Sequence, residues 1–314
     1  MSKTNNIKNR KYNTIRMYLV LKNLEMLSDL TNITNLKIST NNLITKERRS
    51  SGIKRAILVF ILIVFSFSAS AATECKKSDQ LIVDHNIIFP DTIDNKLKDQ
   101  KNFPTVIFLH TSGGYKKYHK DMMDFLKAGF AILSVDYFSK YCIKNSNRYS
   151  TFSTYRENTE NDFVNLLEDI KKNKRIDSNN LFSYGRSMGN VWSSYLAGSN
   201  LVNAGAGAYG VWRGKSDTSY PQKYFTENSS PFLILFGKKD SITTWDRHGK
   251  IAEKVMQKNK NIQLHLYENA GHTWNYDGEC KKHMEFCQDG YHPEVHKDSQ
   301  MRVINFFKTN LKGK

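Results

Sequence analysis

The residues of this chain whose types and spacing could do chemistry are Ser187, Asp240 and His272. Ser187 stands between two glycines in Gly185-Arg186-Ser187-Met188-Gly189. Asp240 closes Gly237-Lys238-Lys239-Asp240, and His272 sits in Asn269-Ala270-Gly271-His272-Thr273-Trp274. A serine hydroxyl is too weak an acid to attack a carbonyl unaided, so an imidazole must take its proton as it attacks. His272 is the expected base, and Asp240 is expected to fix its tautomer and stabilise the imidazolium. The developing oxyanion needs preorganised donors. The backbone N–H of Met188 is one candidate and that of Thr111 the other, with Ser112 as the alternative to Thr111.

Such residues, far apart in sequence, meet only if the elements before them share one edge of a sheet. The spacing predicts this. Leu181 to Tyr184 is a short apolar run leading into the serine, and Val191 to Ala197 reads as the helix behind it, the strand–turn–helix setting of a nucleophile elbow. Pro231 to Gly237 and Ile262 to Tyr267 read as the strands before Asp240 and His272. Thr105 to Leu109 is a β-branched apolar run of the kind buried on both faces, and it ends in His110-Thr111-Ser112-Gly113-Gly114. Further strands are expected at Leu81–Val83, Asn86–Phe89, Phe130–Val135 and Ala204–Tyr209. Helices are expected at 117–128, 157–172, 245–257 and 294–311, with a polar and aromatic loop over 136–154. Strands alternating with helices imply a mostly parallel, doubly wound α/β sheet whose ligand site lies beyond the carboxyl ends of the strands.

Competing assignments are weaker. His265 falls inside a strand and reads as structural. Asp246 falls in the helix after Asp240, where an acidic residue suits a helix start. Asp136 ends a strand but precedes the serine.

Composition bounds the rest. The chain has 314 residues and a net charge of +17. Residues 56–68 are almost wholly apolar, follow Lys54-Arg55 and lead into Ala69-Ser70-Ala71, so 54–71 reads as a secretory signal peptide cut after Ala71. The alternative is an uncleaved anchor that tethers the protein to a membrane. Thirteen apolar residues are short for a span, which needs roughly 20. Residues 1–53 are expected to be a disordered extension, or to precede the true start, with Met26 an internal candidate. Residues 72–314 keep 35 basic and 27 acidic side chains, a net of +8, and form one expected domain. The basic residues are scattered or paired rather than clustered in a stripe, which argues against a nucleic-acid partner. Cys75, Cys142, Cys280 and Cys287 are an even set in an exported chain and read as disulfide candidates, with Cys280–Cys287 and Cys75–Cys142 the favoured pairing. His283, His292 and His296 near the last two cysteines match no standard zinc spacing, so no metal is expected.

Taken together, LFSYGRSMGN, the strand into FGKKD, the NAGHTW loop and the FLHTSGG turn resemble the α/β-hydrolase superfamily, and within it the dienelactone hydrolase-like branch. The resemblance covers about residues 80–312. It implies a sheet of about eight strands, a Ser-Asp-His triad in that chain order, and hydrolysis of an ester-type bond without a cofactor. Three departures matter. The nucleophile is serine where dienelactone hydrolases proper use cysteine, Thr111 stands where a glycine usually follows the histidine of the oxyanion turn, and Asn190 replaces the second glycine after the elbow.

Trp212, Arg213 and Trp274 follow strands and are expected to line the substrate site. The expected activity is an exported serine hydrolase of a small ester, periplasmic or secreted. An acyltransferase or peptidase on the same fold, and a non-catalytic binding protein, are the alternatives. No stable membrane insertion is expected after signal cleavage, and the sequence does not reveal the oligomeric state.

Overall fold

The computed structural model describes residues 86–98, 100–115, 121–214, 219–275 and 291–313. All of these fall in one compact unit, Cys75–Lys314. The signal peptide expected at 54–71, the strand expected at 81–83, Cys75, Cys280, Cys287 and His283 lie outside the described residues.

Seven strands form one sheet among the described residues: β1 (Asn86–Ile88), β2 (Phe103–Leu109), β3 (Ala131–Val135), β4 (Ile176–Arg186), β5 (Ala204–Ala208), β6 (Phe232–Gly237) and β7 (Ile262–Tyr267). Their order is β1-β3-β2-β4-β5-β6-β7, with β1 antiparallel and every other pairing parallel. The eighth strand of the expectation is not among them. Among the described residues five α-helices cover the sheet: α1 (Met122–Lys127), α2 (Arg156–Ile170), α3 (Gly189–Gly198), α4 (Lys250–Lys258) and α5 (Pro293–Thr309).

The alternation along each strand explains the two layers. On β2, Ile107 and Leu109 join a core with Phe163, Leu166 and Leu167 of α2, Trp192 and Leu196 of α3, and Ala252 of α4. Val106 and Phe108 point the other way, to Phe125 and Leu126 of α1 and Phe307 of α5. Successive strand side chains alternate between faces, so a strand covered on both sides is apolar nearly throughout, as β6 is and as β2 is apart from Thr105. Each fully buried Phe or Leu contributes about 1.5–3 kcal/mol relative to exposure.

Where elements differ from the sequence expectation, the reasons are local. The elbow strand begins at Ile176, five residues earlier than its apolar run, because Phe103 pairs with Ile176 before a register shift. The helix expected from 245 opens with a wide π turn over Trp245–Gly249. There the indole of Trp245 packs so closely on Gly249 that a Cβ would lie 2.1 Å from it. The loop at 136–154 contains two short 3-10 turns.

The chain runs from β2 outward to β3 and then crosses back to β4 on the other side of β2. The connections after β2 and β4 therefore diverge, which opens a crevice at their carboxyl ends. His110 to Gly114 and Ser187 leave the sheet at that point.

Candidate functional site

Ser187 has φ +50°, a left-handed conformation that costs a non-glycine residue of order 1–3 kcal/mol and persists only where the surroundings enforce it. They do so here. Ser187 N–H donates to Ala208 O at 3.0 Å, and Ser187 O accepts from Asn190 N at 3.2 Å and Val211 N at 3.4 Å. The two flanking glycines are needed for close approach. A Cβ on Gly185 would lie 2.1 Å from Gly189 O, and one on Gly189 would lie 2.4 Å from Leu109 O. The strained turn is borne by the serine itself.

Asn190, the departure from the usual glycine, is accommodated by the neighbouring strand. A Cβ on Gly207 would lie 1.8 Å from Asn190 Oδ1, and one on Gly210 would lie 2.2 Å from Asn190 Cγ. The glycine missing after the elbow has in effect been moved to β5 and its end. Asn190 Nδ2 donates to Val211 O at 3.3 Å, tying the elbow helix to the segment after β5.

The structure brings Ser187, His272 and Asp240 into one hydrogen-bonded line. His272 Nε2 is 3.1 Å from Ser187 Oγ, and His272 Nδ1 is 2.8 Å from Asp240 Oδ2. All three are buried, with 7%, 4% and 3% of their surface exposed for Ser187, His272 and Asp240. Asp240 Oδ1 accepts from Ile242 N at 2.8 Å and Thr243 N at 2.7 Å, while Thr243 Oγ1 donates to Oδ2 at 2.6 Å. A carboxylate accepts only, so the His272 proton sits on Nδ1. Nε2 is then bare toward the serine hydroxyl. The ring of Tyr209 packs edge-on to His272, centroids 4.8 Å apart.

Thr111 follows β2 at the crevice. Tyr137 donates its hydroxyl hydrogen to His110 O at 2.6 Å, so the His110–Thr111 peptide turns its N–H the opposite way, a consequence of peptide planarity. His110 Nδ1–H donates to Thr111 O at 2.7 Å. Among the described residues, neither Met188 N–H nor Thr111 N–H is given to another group. His110 stacks on Tyr137 at 3.9 Å, and burial lowers its pKa to about 4 against the pull of the Thr111 carbonyl and Asp136.

Other expected residues fall elsewhere. Trp212 and Trp274 have no exposed surface, so neither lines a substrate site. Trp274 Nε1 donates to Ser299 Oγ at 3.1 Å and its ring packs against Tyr209 and Tyr267. Trp212 packs on Phe225. Arg213 is exposed, its guanidinium 4.6 Å from the Tyr149 ring centroid. Asp246 pairs with Lys250 at the surface, Asp136 accepts from Phe138 N and Ser139 N, and His265 packs on Tyr267 in the edge strand. Cys142 is not a free thiol. Among the described residues no group of three or more His, Cys, Asp or Glu is clustered to hold a metal. Two surface hollows of about 490 and 470 Å³ involve none of the three aligned residues. One is lined by Lys127, Phe130 and Asp177, the other by His265 and Arg302.

Residues 94–311 match the family model described as "Dienelactone hydrolase family". The chain belongs to the dienelactone hydrolase family. Membership makes it a hydrolase of the esterase class on an α/β-hydrolase fold. Similar solved structures include a dienelactone hydrolase-like promiscuous phosphotriesterase from metagenomic libraries, with TM-score 0.57 and 16% identity, covering 72% of this chain and 91% of that one. A putative dienelactone hydrolase from Klebsiella pneumoniae has TM-score 0.51 and 16% identity, with coverages of 67% and 89%. A carboxylesterase from Lactobacillus plantarum has TM-score 0.53 and 11% identity, with coverages of 73% and 94%. At these identities the likeness is one of fold. No curated protein matches the sequence.

Asn190 is marked in the sequence as a departure after the elbow, whereas Thr243, Tyr209 and Tyr137 also shape the site and are not marked for it. Of these three, Thr243 alone leaves a signal. Asp-x-x-Thr after a strand is a turn in which the aspartate accepts local backbone N–H groups.

Proposed function

We propose that the protein is a serine hydrolase that cleaves a small carboxylic ester through an acyl-enzyme, with Ser187 as nucleophile, His272 as base and Asp240 as its orienting carboxylate. The observation that carries this reading is the unbroken line Ser187 Oγ, His272 Nε2, His272 Nδ1, Asp240 Oδ2, at 3.1 and 2.8 Å.

In this mechanism Oγ attacks the ester carbonyl as its proton passes to Nε2. The imidazolium is stabilised by Asp240, and the oxyanion is received by the N–H groups of Met188 and Thr111. Collapse expels the alcohol, which takes the proton from Nε2 and leaves Ser187 acylated. Water then gives a proton to Nε2 and attacks the acyl carbonyl. The acid leaves and the proton returns to Oγ. Arg213, exposed beside Tyr149, is the remaining substrate-side candidate, since Trp212 and Trp274 are engaged in packing.

Export after cleavage at Ala71, with Cys280–Cys287 and Cys75–Cys142 disulfides, belongs to the same proposal. It is supported by the apolar run at 56–68, the Ala-x-Ala pattern and the even cysteine count. The test is turnover of short p-nitrophenyl esters and labelling by a fluorophosphonate, beside Ser187→Ala. The expected loss of kcat in the variant is about 10,000-fold or more. Equal labelling of variant and parent would refute the nucleophile. Labelling without ester turnover would favour an acyltransferase or peptidase.

A further inference from the structure

Behind the aligned residues lies a second buried polar group that the mechanism above does not use. Asp121 stands at the start of α1, yet its side chain makes no capping bond to that helix. The carboxylate turns inward and is buried with Arg186. One oxygen, Oδ2, accepts from two places in the chain: Arg186 Nη1 forms a buried ion pair with it, and Asn275 Nδ2 donates to it at 2.5 Å. Arg186 is the residue before Ser187, and Asn275 is the third residue after His272. The other oxygen, Oδ1, is 3.0 Å from His296 Nε2 of α5. Asn275 Oδ1 in turn accepts from the Tyr209 hydroxyl at 2.6 Å, and the Tyr209 ring packs on His272.

From this arrangement we infer that Asp121 is a positioning residue for catalysis, a clamp whose single oxygen fixes the separation between the nucleophile strand and the loop that carries the base. The inference rests on the serine-hydrolase reading and adds to it the means by which its two halves are kept in register. Asp121 Oδ2 ties those two segments to a common atom. Ser187 and His272 meet through one hydrogen bond of 3.1 Å, and reaction needs that geometry held closely. A carboxylate that receives both neighbours at once sets their spacing without touching substrate. Asn275 also orients Tyr209, whose ring limits how far the imidazole can swing.

The decisive variant is Asn275→Ala, because it leaves the buried Asp121, Arg186 and His296 groups together. Replacing Asp121 would strand the Arg186 guanidinium without its carboxylate and can prevent folding. Tyr209→Phe is the milder companion, since it removes the donor to Asn275 and keeps the ring against His272. The readouts are kcat and KM on p-nitrophenyl acetate, normalised to sites titrated with a fluorophosphonate, and the second-order rate of that labelling.

For Asn275→Ala, kcat and the labelling rate should fall about tenfold to a hundredfold. KM should stay within about twofold, because binding is not what the clamp governs. Tyr209→Phe should move the same quantities in the same direction by less. Unchanged kcat per titrated site in Asn275→Ala would overturn the clamp, whatever the change in melting temperature. Should that variant not fold, unchanged kcat and labelling rate in Tyr209→Phe overturn it equally. Failure of the parent protein itself to label would instead overturn the serine-hydrolase reading, so the two failures are distinct.

Discussion

Asp240 is held by its own turn. Three donors from two neighbouring residues, Ile242 N–H, Thr243 N–H and the Thr243 hydroxyl, fix both of its oxygens. Removing the hydroxyl in Thr243→Ala should lower kcat by about twofold to tenfold, the worth of one hydrogen bond, and stopped-time ester assays at saturating substrate would measure it. Asp240→Asn should cost about 10,000-fold in kcat, because the amide can present an N–H to Nδ1 and favour the wrong tautomer. His110 makes a different prediction. Burial lowers its folded pKa to about 4 from 6.5, so between those values the unfolded chain takes up a proton that the folded chain refuses. Stability is therefore undiminished above pH 6.5, falls as pH drops toward 4, and loses no more to this group below that. The full loss is about 3 kcal/mol. Denaturant titrations across that range should show the slope in the parent and a shallower one in His110→Asn. Serine, aspartate and histidine were legible as a set because each falls in the turn after a run that reads as a strand. The direction of a side chain was not legible: Trp212 and Trp274 follow strands just as the site residues do, yet both point into the core.

At the scale of elements, the elbow is a fit between α3 and β5. The strand reads Ala-Gly-Ala-Gly-Ala, with its alanines on the α5 face and its glycines under α3. There Gly207 makes room for Asn190. Gly207→Ala alone should destabilise the protein by about 1–3 kcal/mol through overpacking. In an Asn190→Gly background the nearest remaining atom is Phe232 Cζ at 3.3 Å, so the second substitution should largely cancel the first. Chemical denaturation of the four proteins of that cycle checks the coupling. The sequence signalled β5 as a strand of small residues, but the side chain that requires glycine at 207 is Asn190, on the preceding helix rather than in the strand. Pairings of that kind are not written in local pattern. The same holds for Asp121 at the start of α1, Arg186 at the end of β4 and Asn275 in the loop after β7, which meet only once the sheet has formed.

For the whole molecule, the parallel sheet order was legible as a class from alternating runs, and the switch of direction between β2 and β4 locates the crevice where Thr111 and Ser187 emerge. Among the described residues the sheet has seven strands, and the run expected as a further strand at 81–83 lies outside them. The exported-protein proposal is tested at this scale. Protein recovered from an oxidising compartment should show no free thiols until reduced and four afterwards, and four free thiols before reduction would contradict the proposed pairings. The central claim is that one hydroxyl, activated by one imidazole, is the nucleophile. Its most direct test is peptide mass mapping of the fluorophosphonate-treated protein. The account predicts a single covalent adduct on Ser187, absent from Ser187→Ala and formed far more slowly in His272→Ala. An adduct on another residue, or one formed at the parent's rate without the imidazole, would contradict it.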